Sequence, residues 1–136
     1  MTVFADASAL IAIIAAEADA LTLADCLEGD QKRLYSALSG WETVAGLCRA
    51  YRLTVPQAQT RVRLFLTELG FRMVAIGEAE FALATEAYAR FGKGRHPANL
   101  NMGDCFAYAC AKANRARLLF KGDDFVKTDI EPALIG

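Results

Sequence analysis

The sequence predicts an α/β protein, a three-layer α/β/α sandwich with a mostly parallel central sheet. Short apolar segments typical of buried strands alternate along the chain with longer segments in which apolar residues recur at helical spacing. The chain has 136 residues, of which 54% are hydrophobic. That suffices for one core, whereas two cores would each be close to the lower size limit for independent folding. We therefore expect a single domain over residues 1–136.

Before Gly70 the predicted elements alternate between short strands and helices. They are a strand over 3–5, a helix from Asp6 toward Glu17, a helix over 19–27, a strand over 33–37, a helix that begins at Ser39 and a helix between Pro56 and Gly70. In the helix that begins at Ser39, helical spacing predicts a buried face formed by Trp41, Val44, Ala45, Cys48 and Tyr51.

After Gly70 the same alternation continues. The predicted elements are a strand over 71–76, a helix over 78–91, a loop over 92–99, a helix over 101–114, a strand over 117–120 and a turn over 122–125. Phe81, Ala84, Tyr88 and Phe91 lie in helical register, so we expect them in the core rather than at a base-stacking surface. The loop over 92–99 is expected to be exposed and basic.

The formal net charge of the chain is only -1, so we expect no general electrostatic attraction to nucleic acid or to an anionic membrane. The charges are nevertheless unevenly placed. Residues 1–30 carry six acids and no Lys or Arg, whereas residues 86–122 carry seven bases and two acids. The sequence therefore predicts an acidic and a basic region on one molecule.

The apolar residues 9–16 are too few to span a bilayer, and the chain begins without the basic start of a secretory signal. We therefore expect a cytoplasmic protein with no membrane contact. Four cysteines lack metal-site spacing and lie among apolar neighbours, which favours small buried thiols over a zinc site.

Carboxylates follow the predicted strands. Asp6 comes directly after the first strand, Glu42 lies near the start of the helix after the second, Asp104 lies in the first turn of a helix, and Asp123 and Asp124 follow the last strand. Because residues just past parallel strands share one edge of the sheet, these acids could converge there. Converging carboxylates with no paired His or Cys favour Mg²⁺ or Mn²⁺ over zinc.

Each acid also has a purely structural explanation. Asp6 could cap a helix, Glu42 could close a capping box with Ser39, and Asp104 could only favour the helix dipole. Asp123 and Asp124 could form a turn and a cap. The spacing alone leaves the metal site and these structural roles equally open.

Several segments resemble PIN domains, and more narrowly the VapC-type toxin ribonucleases of bacterial type II toxin-antitoxin modules. They are residues 3–10, the helix with Glu42, residues 101–105 with Tyr108 and Ala109, and residues 118–125 followed by 128–130. The resemblance extends over essentially the whole chain. It implies a PIN-like fold and a Mg²⁺- or Mn²⁺-dependent endoribonuclease that hydrolyses RNA, inhibited by a VapB-like antitoxin and commonly homodimeric.

By position, Asp6, Glu42 and Asp104 match the three central acids of the family motif. We assign Asp6 and Asp104 as the main metal ligands, and we favour Asp123 as the fourth acid with Asp124 as the competing choice. Ser8 could hold Asp6 or a metal-bound water, or it could simply cap the helix.

Phosphate contacts are expected from basic side chains near this acidic site, with ordinary surface charge as the alternative. The candidates are Lys93, Arg95, His96, Lys112 and Arg115, of which Arg115 is expected on the same helical face as Asp104. By family resemblance, the antitoxin would lie near the first helices and insert a basic side chain among the acids. The apolar residues 10–14 could instead be buried within the monomer.

Two other readings compete with the ribonuclease. A catalytically silent PIN-like module would bind RNA or protein without cleavage. A receiver-like or dehalogenase-like phosphotransfer domain also places acids beyond parallel strands. The segment from Asp6 to Ser8 lacks the second acid that those folds require at this point, which argues against the phosphotransfer domain.

Overall fold

Four parallel strands form the central sheet of the computed structural model, which describes residues 1–29 and 31–134. Asp30, one of the acids of the N-terminal region, and the last two residues of the predicted domain lie outside the described residues. The strands are β1 (Thr2–Ala5), β2 (Lys32–Ser36), β3 (Arg72–Val74) and β4 (Arg117–Leu119). Their order across the sheet is β3-β2-β1-β4, and every neighbouring pair is parallel.

Helices cover both faces of the sheet. They are α1 (Ala7–Ile14), α2 (Ala20–Asp25), α3 (Ala37–Tyr51), α4 (Val55–Glu68), α5 (Glu78–Phe91) and α6 (Met102–Ala113), and a short 3-10 turn covers Phe125–Lys127. Alternate residues of β1 point to opposite faces. Phe4 packs with the side chains of α5 and α6, whereas Val3 and Ala5 pack with those of α1 to α4. The predicted three-layer α/β/α sandwich with a parallel sheet is confirmed.

The predicted buried face of α3 is wrong for Trp41 and Tyr51. Trp41 is 68% exposed and Tyr51 41% exposed. The helix fully buries Ser39, Thr43, Gly46 and Leu47. Val44 and Cys48 are partly buried against the same core. At Gly46 an added Cβ would collide with the side chain of Ile11, so the missing side chain is what lets α1 approach. Helical spacing locates an apolar stripe on a helix, but it does not show whether that stripe is buried in the core or exposed on the surface.

The aromatic residues of α5 divide between the core and the surface. Ala84 and Phe91 are buried as predicted, but Phe81 is 65% exposed and Tyr88 46% exposed. Both exposed rings border a groove of about 550 Å³ between α5 and α6. The predicted burial of Phe81 and Tyr88 is therefore wrong.

Several helix ends differ from the sequence prediction. Helix α1 ends at Ile14 rather than near Glu17, because Ala16 adopts a left-handed conformation with a φ of 56°. Helix α3 begins at Ala37, where Ser36 and Ser39 form the capping box. Helix α6 ends at Ala113, so Arg115, with a φ of 53°, lies beyond the helix and not on the face that carries Asp104.

Among the described residues, no helix is both long and apolar enough to cross a membrane. All four cysteines are unoxidised. Cys105 and Cys110 are buried as predicted, whereas Cys26 and Cys48 are only partly buried.

Candidate active site

Asp6 follows β1 at the carboxyl edge of the sheet and caps helix α1. Its side chain is 6% exposed. The Ser8 hydroxyl donates to Asp6 Oδ2 at 2.6 Å, and the Ser8 amide donates to the same oxygen at 3.0 Å. Burial raises the pKa of Asp6 above its ordinary value, although the bonds from Ser8 oppose the shift. Asp6 thus has the expected capping role and is also a buried acid.

Ser8 connects Asp6 to the segment that follows β4. Its hydroxyl oxygen accepts a hydrogen bond from the Lys121 amide at 3.0 Å while it donates to Asp6. The cap is formed by Asp6, which accepts from the Ser8 amide, so Ser8 is not itself the capping residue and its hydroxyl serves to hold the carboxylate. These bonds fix the side-chain position of Asp6.

Glu42 lies one turn into α3 and takes no part in the capping box. The box is closed by Ser36 and Ser39, whose amides and hydroxyls bond each other at 2.9 and 3.1 Å, so a capping role for Glu42 is excluded. The Glu42 carboxylate instead lies against Gly103. A Cβ added at Gly103 would come within 2.6 Å of the carboxyl carbon Cδ of Glu42. The absence of a side chain at position 103 therefore makes room for Glu42.

Asp104 occupies the first turn of α6 and forms a reciprocal cap with Asn101. The Asp104 amide donates to Asn101 Oδ1 at 2.9 Å, and the Asn101 amide donates to Asp104 Oδ2 at 3.0 Å. This arrangement holds the carboxylate at the start of the helix, next to Gly103 and hence next to Glu42.

The three acids influence one another electrostatically. Burial, followed by the charges of Asp6 and Asp104, raises the pKa of Glu42 to about 7. Burial also raises the pKa of Asp104 to about 6, a shift that the backbone hydrogen bond at Asn101 opposes and that the charges of Asp6 and Asp124 increase. Like charges shift a pKa appreciably only at short range. The structure therefore brings Asp6, Glu42 and Asp104 together at one edge of the sheet.

Asp123 and Asp124 lie in the exposed turn after β4. Of this adjacent pair, Asp124 is the acid whose charge raises the pKa of Asp104. The structure thus links Asp124 to the three central acids, although the sequence interpretation favoured Asp123.

The donor chemistry of this cluster fits a hard divalent cation. Its potential ligands are carboxylate oxygens, and the repulsion among them would be relieved by positive charge. Within residues 1–29 and 31–134, no three His, Cys, Asp or Glu side chains are placed closely enough to hold a metal ion together.

The predicted phosphate-binding residues have different surroundings. Lys93 and Arg95 are exposed in the loop over 92–99, and the Arg95 guanidinium lies 4.9 Å from the ring centroid of Tyr88. Lys112 is paired with Asp129 at 3.4 Å. His96 accepts a hydrogen bond from the Ala98 amide at 3.0 Å, so it helps to fold the loop.

Two contributions at the site were missed by the sequence reasoning. Gly103 is the first, and its only signal was a glycine placed where helix propensity favours a side chain. The second is Lys121, whose amide bonds Ser8 from a position 113 residues away in sequence. No local pattern in the chain could have revealed that contact.

The model of the PIN domain family matches residues 3–131. Ribonuclease VapC30 of Mycobacterium tuberculosis is 41% identical over 92% of this chain and 93% of its own length. Ribonuclease VapC42 of the same organism is 37% identical over 94% of this chain and 96% of its own length. Ribonuclease VapC of Mycolicibacterium smegmatis is 40% identical over 92% of this chain and 95% of its own length.

Two solved structures share the fold. VapBC2 from Rickettsia felis, bound to a DNA fragment from its promoter, matches with a TM-score of 0.71 and 16% identity over 99% of this chain and 96% of the matched chain. Mycobacterium tuberculosis VapC20, described as a sarcin-ricin loop cleaving toxin, matches with a TM-score of 0.69 and 17% identity over 96% of this chain and 99% of the matched chain. The family model and the identity to curated relatives are consistent with the parallel sheet and the acids at its edge. The chain belongs to the PIN-domain family, among the VapC ribonucleases.

Proposed function

We propose that this protein is the endoribonuclease toxin of a type II toxin-antitoxin module and that it hydrolyses RNA phosphodiester bonds with Mg²⁺ or Mn²⁺. The observation that carries the proposal is the convergence of Asp6, Glu42 and Asp104 at the carboxyl edge of the sheet. The VapC ribonucleases at 37–41% identity support the same activity.

The carboxylates have distinct roles in this mechanism. Asp6 and Asp104 would hold the cation, and the hydroxyl of Ser8 fixes the side chain of Asp6. Bound Mg²⁺ or Mn²⁺ supplies positive charge that favours ionisation of the attacking water and stabilises the phosphoryl oxygens. Glu42, with its pKa raised to about 7, completes the ligand shell or accepts a proton from that water.

The fourth acid comes from the adjacent pair after β4. We retain Asp123 as a catalytic candidate, and the effect of Asp124 on the pKa of Asp104 supports Asp124 as the alternative. Separate Asp123→Asn and Asp124→Asn variants distinguish them, because only the residue that acts at the site should lower the cleavage rate when changed.

Substitution of the central acids tests the activity. We expect Asp6→Asn and Asp104→Asn each to lower metal-dependent RNA cleavage by roughly 100-fold or more, since each change removes a ligand charge. Glu28→Gln, which alters an exposed acid that borders a groove with Met1 at the amino end of β1, is the matched control. The measurement is cleavage of total RNA with Mg²⁺ or Mn²⁺, and with a chelator.

Undiminished cleavage by both central variants would refute this mechanism. If the intact protein without its antitoxin cleaves no RNA, the catalytically silent PIN-like binding module becomes the better interpretation.

We assign the binding of the substrate phosphates to the basic loop over 92–99. Lys93 and Arg95 are exposed there, and Lys93 borders the same groove as Asn101 and Met102 at the start of α6. Lys112 and Arg115 are weaker candidates, because Lys112 is paired with Asp129 and Arg115 lies beyond the helix. Weaker RNA binding in a Lys93→Met, Arg95→Met double variant would support this assignment, and unchanged binding would contradict it.

A VapB-like antitoxin is the proposed partner, in keeping with the VapBC2 assembly that shares the fold. Leu10 is buried within the monomer, but Ile11, Ile13 and Ile14 are only partly buried and could contribute to an apolar contact near the first helices. A basic antitoxin side chain among the acids would neutralise the site. A purified complex as active as the toxin alone would contradict this proposal.

We further propose that residues 1–136 form one domain and that two copies associate as a homodimer. Large apolar side chains on the surface support this association, including Trp41, Val55 and Met73, which border one groove.

A further inference from the structure

Lys121 is held by two carboxylates from the N-terminal part of the chain. Its ammonium forms ion pairs with Glu17 and with Asp19, the latter at 3.4 Å. The Tyr51 hydroxyl donates a hydrogen bond to the second carboxylate oxygen of Glu17. These contacts join the segment after β4 to the α1–α2 connection and to the end of α3.

The same residue is bonded to the acid cluster through its backbone. The Lys121 amide donates to Ser8 Oγ at 3.0 Å, and that hydroxyl donates to Asp6 at 2.6 Å. Two hydrogen bonds therefore connect Lys121 to Asp6. The turn that carries Asp123 and Asp124 begins immediately afterwards.

The ammonium also lies beside a buried oxygen of the Asp19 carboxylate, a side chain that is 40% exposed as a whole. Asp19 Oδ1 is buried and accepts no hydrogen bond from the described residues, so its ion pair with Lys121 is the interaction that compensates its lost hydration. Lys121 is itself partly exposed, with 42% of its side-chain surface accessible. Ion pairs that are exposed to this extent add little to folding stability. We therefore expect these pairs to act mainly on the local geometry of the segment that carries Lys121.

Resting on the proposed function, we propose that Lys121 is a positioning residue for the catalytic site. Held by Glu17 and Asp19, it keeps its amide on Ser8 and keeps the turn with Asp123 and Asp124 beside Asp104. Its side chain contacts neither RNA nor the cation. Removal of the ammonium would loosen the turn without removing any acid.

The test compares Lys121→Met with Lys121→Arg and Glu17→Gln. Lys127→Met is the matched control, because Lys127 is an exposed lysine in the adjoining 3-10 turn. We expect Lys121→Met to lower kcat for RNA cleavage and to weaken Mn²⁺ binding, each by about tenfold, as loss of an orienting partner does. KM should remain within about twofold of wild type, because RNA binding residues are unchanged.

Mn²⁺ affinity is measured without RNA, by calorimetry or by electron paramagnetic resonance, so it does not depend on activity. Lys121→Arg should restore both values to near wild type, and Glu17→Gln should give an intermediate loss. The proposal is overturned if Lys121→Met matches Lys127→Met in kcat and Mn²⁺ affinity, or if Lys121→Arg restores neither. If wild type cleaves no RNA but Lys121→Met still weakens Mn²⁺ binding, the positioning role stands and the proposed function fails.

Discussion

Gly103 makes room for one carboxylate of the acid cluster because it has no side chain. The residue lies between Asn101 and Asp104 in the first turn of α6, and the Glu42 carboxylate occupies the space where its Cβ would be. An alanine would normally be preferred at a helical position over glycine by up to about 1 kcal/mol. The site therefore keeps a residue that is unfavourable for the helix alone.

Gly103→Ala should separate activity from stability. The new methyl group would displace the end of the flexible Glu42 side chain rather than backbone, so the helix should remain intact and the Tm should stay equal or rise. RNA cleavage should fall by about tenfold or more, because Glu42 would leave its position beside Asp6 and Asp104. The measurements are thermal unfolding and cleavage rate.

Gly77→Ala is the control for this change, since its added Cβ would lie 3.6 Å from its nearest neighbour, Glu80 Oε1. Equal cleavage by Gly103→Ala and wild type would show that the position of Glu42 is unimportant to the reaction.

At the scale of secondary-structure elements, Arg33 joins three parts of the fold. From β2 its guanidinium donates to the carbonyl oxygens of Leu27 at 2.6 Å, Gly29 at 3.0 Å and Leu69 at 3.1 Å. These carbonyls lie at the ends of α2 and α4 and in the turn that leads to β2. Arg33 therefore satisfies the carbonyl oxygens of Leu27 and Leu69 beyond the helix ends and shares that of Gly29 with the Gln31 amide.

Replacement of Arg33 by methionine should destabilise the protein without affecting the acids. We expect the free energy of unfolding to fall by about 2 kcal/mol, because three carbonyls lose charge-assisted hydrogen bonds. Arg72→Met, on the exposed surface of β3, is the control and should change stability by less than about 0.5 kcal/mol. Urea unfolding monitored by circular dichroism measures both.

Equal stability of the two arginine variants would contradict this role for Arg33. Cleavage per folded molecule should remain at the wild-type rate in both variants, since Arg33 lies at the strand end opposite the acids.

At the scale of the whole molecule, several large apolar side chains are exposed on the surface instead of packing in the core. Trp41 is 68% exposed, Val55 61% and Met73 58%, and they border a groove between α3, α4 and the edge of the sheet. A continuous exposed apolar surface is typical of an association site. This surface is the one that we assign to the proposed homodimer.

Trp41→Glu should shift the protein from dimer to monomer, because a charge would have to be buried at the contact. Sedimentation velocity at micromolar concentration measures the change. Leu64→Glu, an exposed apolar residue of α4 that does not border the groove, should leave the dimer intact. A wild-type protein that is monomeric under these conditions, or a dimeric Trp41→Glu, would reject the assignment.

The sequence by itself determined the alternation of strands and helices and the placement of Asp6, Glu42 and Asp104 near strand ends. These features depend on local periodicity and on the geometry of parallel sheets, which hold for any chain with this pattern. The catalytic and metal-binding roles of these acids remain predictions.

The tertiary structure decided what depends on contacts between distant residues. Strand order, the exposure of Trp41, the packing of Glu42 on Gly103 and the link from Lys121 to Ser8 each join segments far apart in the chain. A periodic pattern gives the face on which a side chain lies, but the partner that covers this face is set only when the whole chain packs.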